Sequence, residues 1–277
     1  MTLAATTRTP TGTTTSLHAI LRIVGWIGLG LIAVAVSLSD FLANAPANAT
    51  GIGALLAAPS ADFRFGTDIL GRDMLSETLH ALSATVRSAL PATVVTLIAG
   101  ALFGFVAARL PRSLALAVRS LVGILASLPA LLLAVLVIGL TTRDWAAVAA
   151  GLSAAPFTFV RAFDRARIEE RATHSEYARA TGISASTLLR RDLVYEFSDT
   201  ILSSAARALA AVTLVLSTVS FLGFGAVPPH RDLGLMIAAA KPYFLHAWWT
   251  AAFPALGLTL LILFARLAAG LDEGERA

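Results

Sequence analysis

The chain has 277 residues, of which 57% are hydrophobic and only 14% charged, with a mean hydropathy of +0.78. These values exclude an ordinary water-soluble domain. The net charge of +4 and the pI near 10.3 come from arginines flanking long apolar runs, which is a signature of membrane topology and not of nucleic-acid binding. Absence of cysteine excludes disulfides, iron–sulfur clusters and thiolate metal sites.

Residues 1–16 are threonine-rich, have little to bury, and are expected to be a disordered cytoplasmic N-terminus. A first transmembrane helix is expected over 17–41, around the uncharged run Ile23 to Ser39; no small-residue pattern closes it as a cleaved signal. Residues 42–82 read as an extracytoplasmic segment, in which Gly51 to Ala61 is apolar but too brief to span. Further uncharged runs follow at Ser88 to Ala108, Ser120 to Thr142, Trp145 to Val160, Ala208 to His230 and Pro242 to Ala265.

Since roughly 20 apolar residues in a helix cross a hydrocarbon core, these runs predict an all-α membrane protein with about six transmembrane helices. The run at Trp145 is short; it spans only if Arg161 snorkels, and a hairpin partner or re-entrant helix would read alike. A core over 83–271 with five of the spans and a tail at 272–277 complete the expected organisation.

Arginines settle the expected sidedness, because short cytoplasmic loops are enriched in them. Arg161, Arg165, Arg167, Arg171, Arg179, Arg190 and Arg191 cluster after the fourth run, and Arg109 and Arg112 after the second. Those loops are expected inside, with both termini cytoplasmic.

The chemistry missing from the chain narrows its function. Its single lysine, Lys241, precedes Pro242, so there is no phosphate-binding G-x-x-x-x-G-K-[ST] loop. His18, His80, His174, His230 and His246 are scattered without metal-ligand spacing, and no G-x-S-x-G elbow occurs. No catalytic residue, no metal site and no cofactor bound by this chain are expected.

The distinctive polar stretch is the loop at 164–195. On composition it reads as two short helical pieces joined at Gly182, and on charge pattern alone a solvated loop whose arginines merely set topology is the better fit. Its order is more telling. Glu176-Tyr177-Ala178, then Gly182, then Asp192, resembles the E-A-A-x-x-x-G coupling loop of the permease subunits of ATP-binding-cassette (ABC) importers. Upstream, Gly66-Thr67-Asp68 with Gly71-Arg72-Asp73 is similar to the G-T-D-x-L-G-R-D segment of the dipeptide, oligopeptide and nickel permease family. Downstream, Ser220-Phe-Leu-Gly-Phe-Gly225, Pro228-Pro229 and Gly234-Leu-Met236 are similar to that family's S-F-L-G-L-G…P-P…W-G-x-M segment. The likeness covers about 62–272 and is closest to the second of the two paired permease subunits. Tyr177 stands where the family has alanine, Leu233 where it has tryptophan, and Asp192 to Glu196 replaces H-I-L-P-N.

The resemblance implies a MetI-like permease fold of six spans in a bacterial inner membrane, multi-pass in the lipid bilayer. It implies a homologous second permease, two ATPase subunits or domains carrying ATP and magnesium, and an extracytoplasmic substrate-binding protein. Glu176, Tyr177, Ala178, Gly182 and Asp192 are the implied ATPase-coupling residues.

The implied function is passage of di- or oligopeptides, with nickel or a metal chelate as the alternative cargo. A different class, an ion-coupled secondary transporter, would show two related halves and mid-membrane carboxylates, and neither is evident. Gly66, Thr67, Asp68, Gly71, Arg72 and Asp73 are expected to brace the start of the second span. Contact with a binding protein is the other role open to them. Arg207, a charge within the fifth apolar region, lines the translocation path or snorkels to the cytoplasm. Pro129, Pro156, Gly139 and Gly151 interrupt spans three and four and are assigned no site.

Overall fold

The computed structural model describes residues 12–170 and 185–270, and among these it is helical apart from connecting segments. Five helices are long and apolar enough to cross a membrane, and a bent pair makes a sixth span if it is counted as one. The expected all-helical membrane fold is therefore present. Several boundaries differ from the apolar runs, for reasons visible in the residues.

Helix α1 (Gly12–Ser37) is followed by the short α2 (Ser39–Leu42) and an irregular segment. Helix α3 (Met74–Thr96) begins well ahead of Ser88, because the Asp73 carboxylate caps it by accepting from the amides of Leu75 and Ser76. A π-helical turn over Leu97–Leu102 carries the span into α4 (Phe103–Ala108).

The Ser120 to Thr142 run is not one straight span. Helix α5 (Arg112–Ala126) and α6 (Ala130–Leu140) meet at 89°. Pro129 lacks an amide hydrogen and steers Leu128 away from helical geometry, which ends α5 and starts α6.

Helix α7 (Ala146–Glu170), with the 3-10 turn before it, is long and apolar enough over Arg143–Ile168 to cross a membrane. It continues through Arg161, Asp164 and Arg167, past the uncharged run and into the stretch read as a loop from 164. Alanine, arginine and glutamate there all favour helix.

Helix α8 (Ala185–Phe221) stops before His230, where Gly223 takes φ +88° and the cis Pro228–Pro229 peptide follows. Helix α9 (Leu233–Ala240), a 3-10 turn over Lys241–Tyr243 and α10 (Trp249–Ala269) complete the described chain. The last span thus begins at Trp249 and not at Pro242.

Small residues set the packing. Ala89 and Ala92 of α3, Ala134 of α6, Ala149 and Ala150 of α7, and Val212 and Val219 of α8 share one buried cluster. A Cβ on Gly100 or Gly104 would lie 2.8 Å from the Ala155 carbonyl or 2.5 Å from that of Phe159. Thr96 donates to the Gly151 carbonyl at 2.9 Å across the same seam. Lipid-embedded helices associate through such close backbone approach, since burial from water does not drive them together there.

Candidate functional site

The candidate polar site is the Gly66 motif and what it docks on. Gly66 and Gly71 have φ of +71° and +66°, a left-handed backbone that glycine adopts without a side-chain penalty. A Cβ on Gly66 would also lie 2.6 Å from the Ala57 carbonyl and 2.7 Å from Trp249 Nε1. Between the glycines, Thr67 is fully buried. Its hydroxyl donates to Ala54 O at 2.5 Å and accepts from Ala57 N at 2.8 Å, folding the preceding loop over the motif.

Asp68 Oδ1 accepts from the amides of Leu70 and Arg72 at 2.8 and 2.9 Å, and its Oδ2 meets Arg72 Nε and Nη2, each at 2.5 Å. Arg72 thus pairs locally, with the carboxylate four residues before it. Asp73 is instead turned onto the start of α3, where Ser76 Oγ donates to it at 2.6 Å.

The motif reaches well beyond itself. Trp249 Nε1 donates to Thr67 O at 3.0 Å, and Phe65 stacks on Phe253 at 3.9 Å, so the loop rests on the first turns of α10. Glu77, only 3% exposed, lies against Arg231 and 3.9 Å from Arg72, and its other oxygen accepts from Asn48 N at 3.2 Å. A buried carboxylate between two guanidiniums joins three chain segments. Burial chiefly, and then the like charge of Arg72, lowers the pKa of Arg231 to about 10, which leaves it protonated at neutral pH.

Next to it, Asp232 caps α9 through Leu235 N at 2.8 Å and accepts from Ser220 Oγ at 2.5 Å. Burial raises its pKa above the ordinary carboxylate range, opposed by those hydrogen bonds. Leu233 N donates to Thr85 Oγ1 at 3.1 Å, wedging α9 against α3. Sequence reasoning missed Glu77, Arg231, Asp232 and Trp249. The only local hints are an acid in the first turn of α3 and a charged pair just after Pro228-Pro229.

A cavity of about 70 Å³ beside the motif is lined by Asp68, Arg72, Met74, Met236, Tyr243 and Thr250. That is far below the several hundred Å³ of typical ligand pockets and leaves no room for a peptide. Among the described residues no group of three or more His, Cys, Asp or Glu side chains is placed to hold a metal.

The remaining candidate residues lie elsewhere. Arg207 is half-buried on α8, near the start of the Leu202–Phe221 span. At 1.5 Å per residue it stands about 20 Å along the helix from Ser220, the α8 residue that touches Asp232. Asp192 falls on the α8 backbone about 40 Å from the same point, and its side chain lies outside the described residues. Glu176, Tyr177, Ala178 and Gly182 also lie outside them.

Spans meeting through small residues, with a polar brace at one end, define a multi-pass membrane protein with no catalytic constellation among the described residues. The family described as the inner membrane component of binding-protein-dependent transport systems matches residues 100–272, and the chain belongs to it. It is a permease of the bacterial inner membrane. A di/tripeptide transport system permease protein of Pseudomonas aeruginosa is 29% identical over 229 residues, covering 81% of this chain and 72% of that one. A peptide transport system permease protein of Haemophilus influenzae is 31% identical over 205 residues, or 73% and 69% of the two chains.

Proposed function

We propose that this chain forms half of the translocation path of an ABC importer for di- or oligopeptides, paired with a homologous second permease. Substrate arrives from an extracytoplasmic binding protein, and two ATPase subunits or domains, which carry ATP and magnesium, drive the cycle. The observation that carries this reading is membership of the permease family together with the peptide systems to which the similar chains belong. Both termini and the arginine-rich 164–195 stretch are cytoplasmic in this reading, and the Gly66 motif faces the other side.

Coupling is mechanical. Glu176, Tyr177, Ala178, Gly182 and Asp192 dock into an ATPase cleft, and closure of the ATPases on ATP moves the attached helices. Helix α8 is suited to this: it runs unbroken from Ala185, just after Gly182, through Asp192 to Phe221 beside the Asp232 cap. Movement at one end is carried rigidly toward the other. The Gly66 to Asp73 cluster is the fixed brace against which that movement occurs, and Arg207 borders the path near its cytoplasmic exit.

The test is purification of the chain from its native membrane in mild detergent, followed by reconstitution and peptide uptake. A second permease and P-loop ATPases are expected to copurify, and Glu176→Ala with Gly182→Pro to release the ATPases. A chain that purifies alone, or whose partners are unaffected by that double change, overturns the coupling assignment.

A further inference from the structure

Arg87 stands just outside the uncharged run that begins at Ser88, but the early start of α3 at Met74 draws it thirteen residues into the helix. Its neighbours fix the depth. Val86 and Leu29 pack on one cluster with Leu261, and Leu29 and Leu261 each lie twelve residues from the start and eight from the end of the spans Leu17–Ser37 and Trp249–Ala269. Ala89 packs with Val212, at the middle of the Leu202–Phe221 span. Three uninterrupted spans thus hold Arg87 about 12 Å or more from the ends of the helices around it.

The chain does not answer this charge. Arg119 of α5 is matched by Asp164 of α7, Nε and Nη2 each donating at 2.7 Å, whereas Arg87 makes no hydrogen bond or ion pair among the described residues. The backbone adds to the deficit. Pro91, inside α3 and four residues on, has no N–H to give the Arg87 carbonyl. Thr78, Thr85, Thr93 and Thr96 of the same helix each donate to the carbonyl four residues back, but Ser88 makes no such bond.

A guanidinium keeps its charge in proteins, hydrocarbon solvates none of these groups, and snorkelling serves arginines near helix ends. The match has to come from outside the chain. Leu90, Val94 and Ile98, three, seven and eleven residues beyond Arg87, continue its face of α3 and are left uncovered. A single charge set in an apolar stripe suits a packed helix bearing one complementary charge, since polar side chains join membrane helices across such contacts.

We propose that this face of α3 docks on a span of the second permease and that a carboxylate of that chain meets Arg87 there. The planar guanidinium can bind both carboxylate oxygens, which fixes the rotation of the two helices as well as their partnership. This assignment rests on the paired-permease reading above and adds to it the contact that makes the pairing specific.

Lys241 is the only lysine of the chain, so Lys241→Arg with Arg87→Lys leaves one side-chain amine, at position 87. In membranes holding the complete importer, dicyclohexylcarbodiimide, which partitions into lipid, should condense that amine with the facing carboxyl group to an amide, taking up the released water as its urea. The expected product joins this chain to the second permease, maps by peptide mass spectrometry to position 87 and an Asp or Glu of a partner span, and is absent from Lys241→Arg alone. Arg87→Leu should leave the amount of this chain in the membrane unchanged, while the second permease that copurifies with it falls about fivefold or more. Arg87→Lys should restore at least half of that loss.

Undiminished copurification in Arg87→Leu overturns the proposal. Diminished copurification with no amide product overturns the carboxylate as the partner group. A product with a peptide substrate in place of the second permease also overturns the proposal and assigns Arg87 to the path. Absence of a second permease from preparations of the unsubstituted chain is a separate result, and it overturns the paired reading itself.

Discussion

Trp249 donates its indole N–H to the backbone carbonyl of Thr67 at 3.0 Å, joining residues 182 apart in the chain inside a buried site. Trp249→Phe keeps an aromatic ring but leaves that carbonyl unpaired, which is expected to cost about 1–3 kcal/mol. Gly66→Ala should cost more, since it combines a left-handed backbone with a Cβ 2.6 Å from Ala57 O. Unfolding midpoints of the purified complex in detergent check both, and the order of the two losses is the decisive feature.

Glu77 is the carboxylate between Arg72 and Arg231. Glu77→Gln leaves two guanidiniums near one another without their shared counter-charge, and the expected loss is about 3–5 kcal/mol, as for breaking other buried pairs. Combining it with Arg231→Gln should cost less than the sum of the separate changes. A double-mutant cycle on thermal stability measures this coupling, and strict additivity would show that the two residues do not act as a pair.

Asp232 supplies a pH-dependent contribution. Because burial raises its folded-state pKa, stability from this group is fully present below the unfolded carboxylate pKa and is lost as pH rises through the raised value. Asp232→Asn can still cap α9 and has no proton to lose, so it should flatten that portion of the stability profile. Asp232→Ala removes the cap and should cost about 1 kcal/mol. Unfolding midpoints across the acidic to neutral range separate the two variants.

Two glycines of the spans should respond oppositely to alanine. A Cβ on Gly100 would sit 2.8 Å from Ala155 O and from the Thr158 side chain, whereas one on Gly139 meets nothing within 4 Å. Gly100→Ala is expected to force α7 outward at a cost of about 1–3 kcal/mol. Gly139→Ala should be neutral, or stabilising by up to about 1 kcal/mol through helix propensity. Expression level and unfolding midpoint of each variant provide the comparison.

Much of the fold was legible because long uncharged runs have few alternatives to membrane-spanning helices. The bend at Pro129 was less so. Proline was visible, but whether a membrane helix bends around it or breaks depends on what packs beside it, here α7 and α8 against α6. The extent of α7 was hidden for a related reason: Arg161, Asp164 and Arg167 look like loop residues by charge, while their backbone continues the helix to Glu170.

Within the Gly66 motif, the turn was readable because its bonds are local. Asp68 bonds the amides two and four residues on, and Asp73 caps the helix that follows directly. The motif's docking surface was not readable, since Glu77, Arg231 and Trp249 carry no signal that names their partners.

By itself the sequence determined the solvent, the approximate number of spans and the family, because hydropathy over a helix length and the order of short motifs are properties of contiguous residues. Only the tertiary structure decided which charges meet. Arg119 and Asp164 are separated by 45 residues, and Thr67 and Trp249 by 182. Such contacts depend on how closely the helices approach and rotate, which the glycines and alanines at their seams permit and only the packed bundle selects.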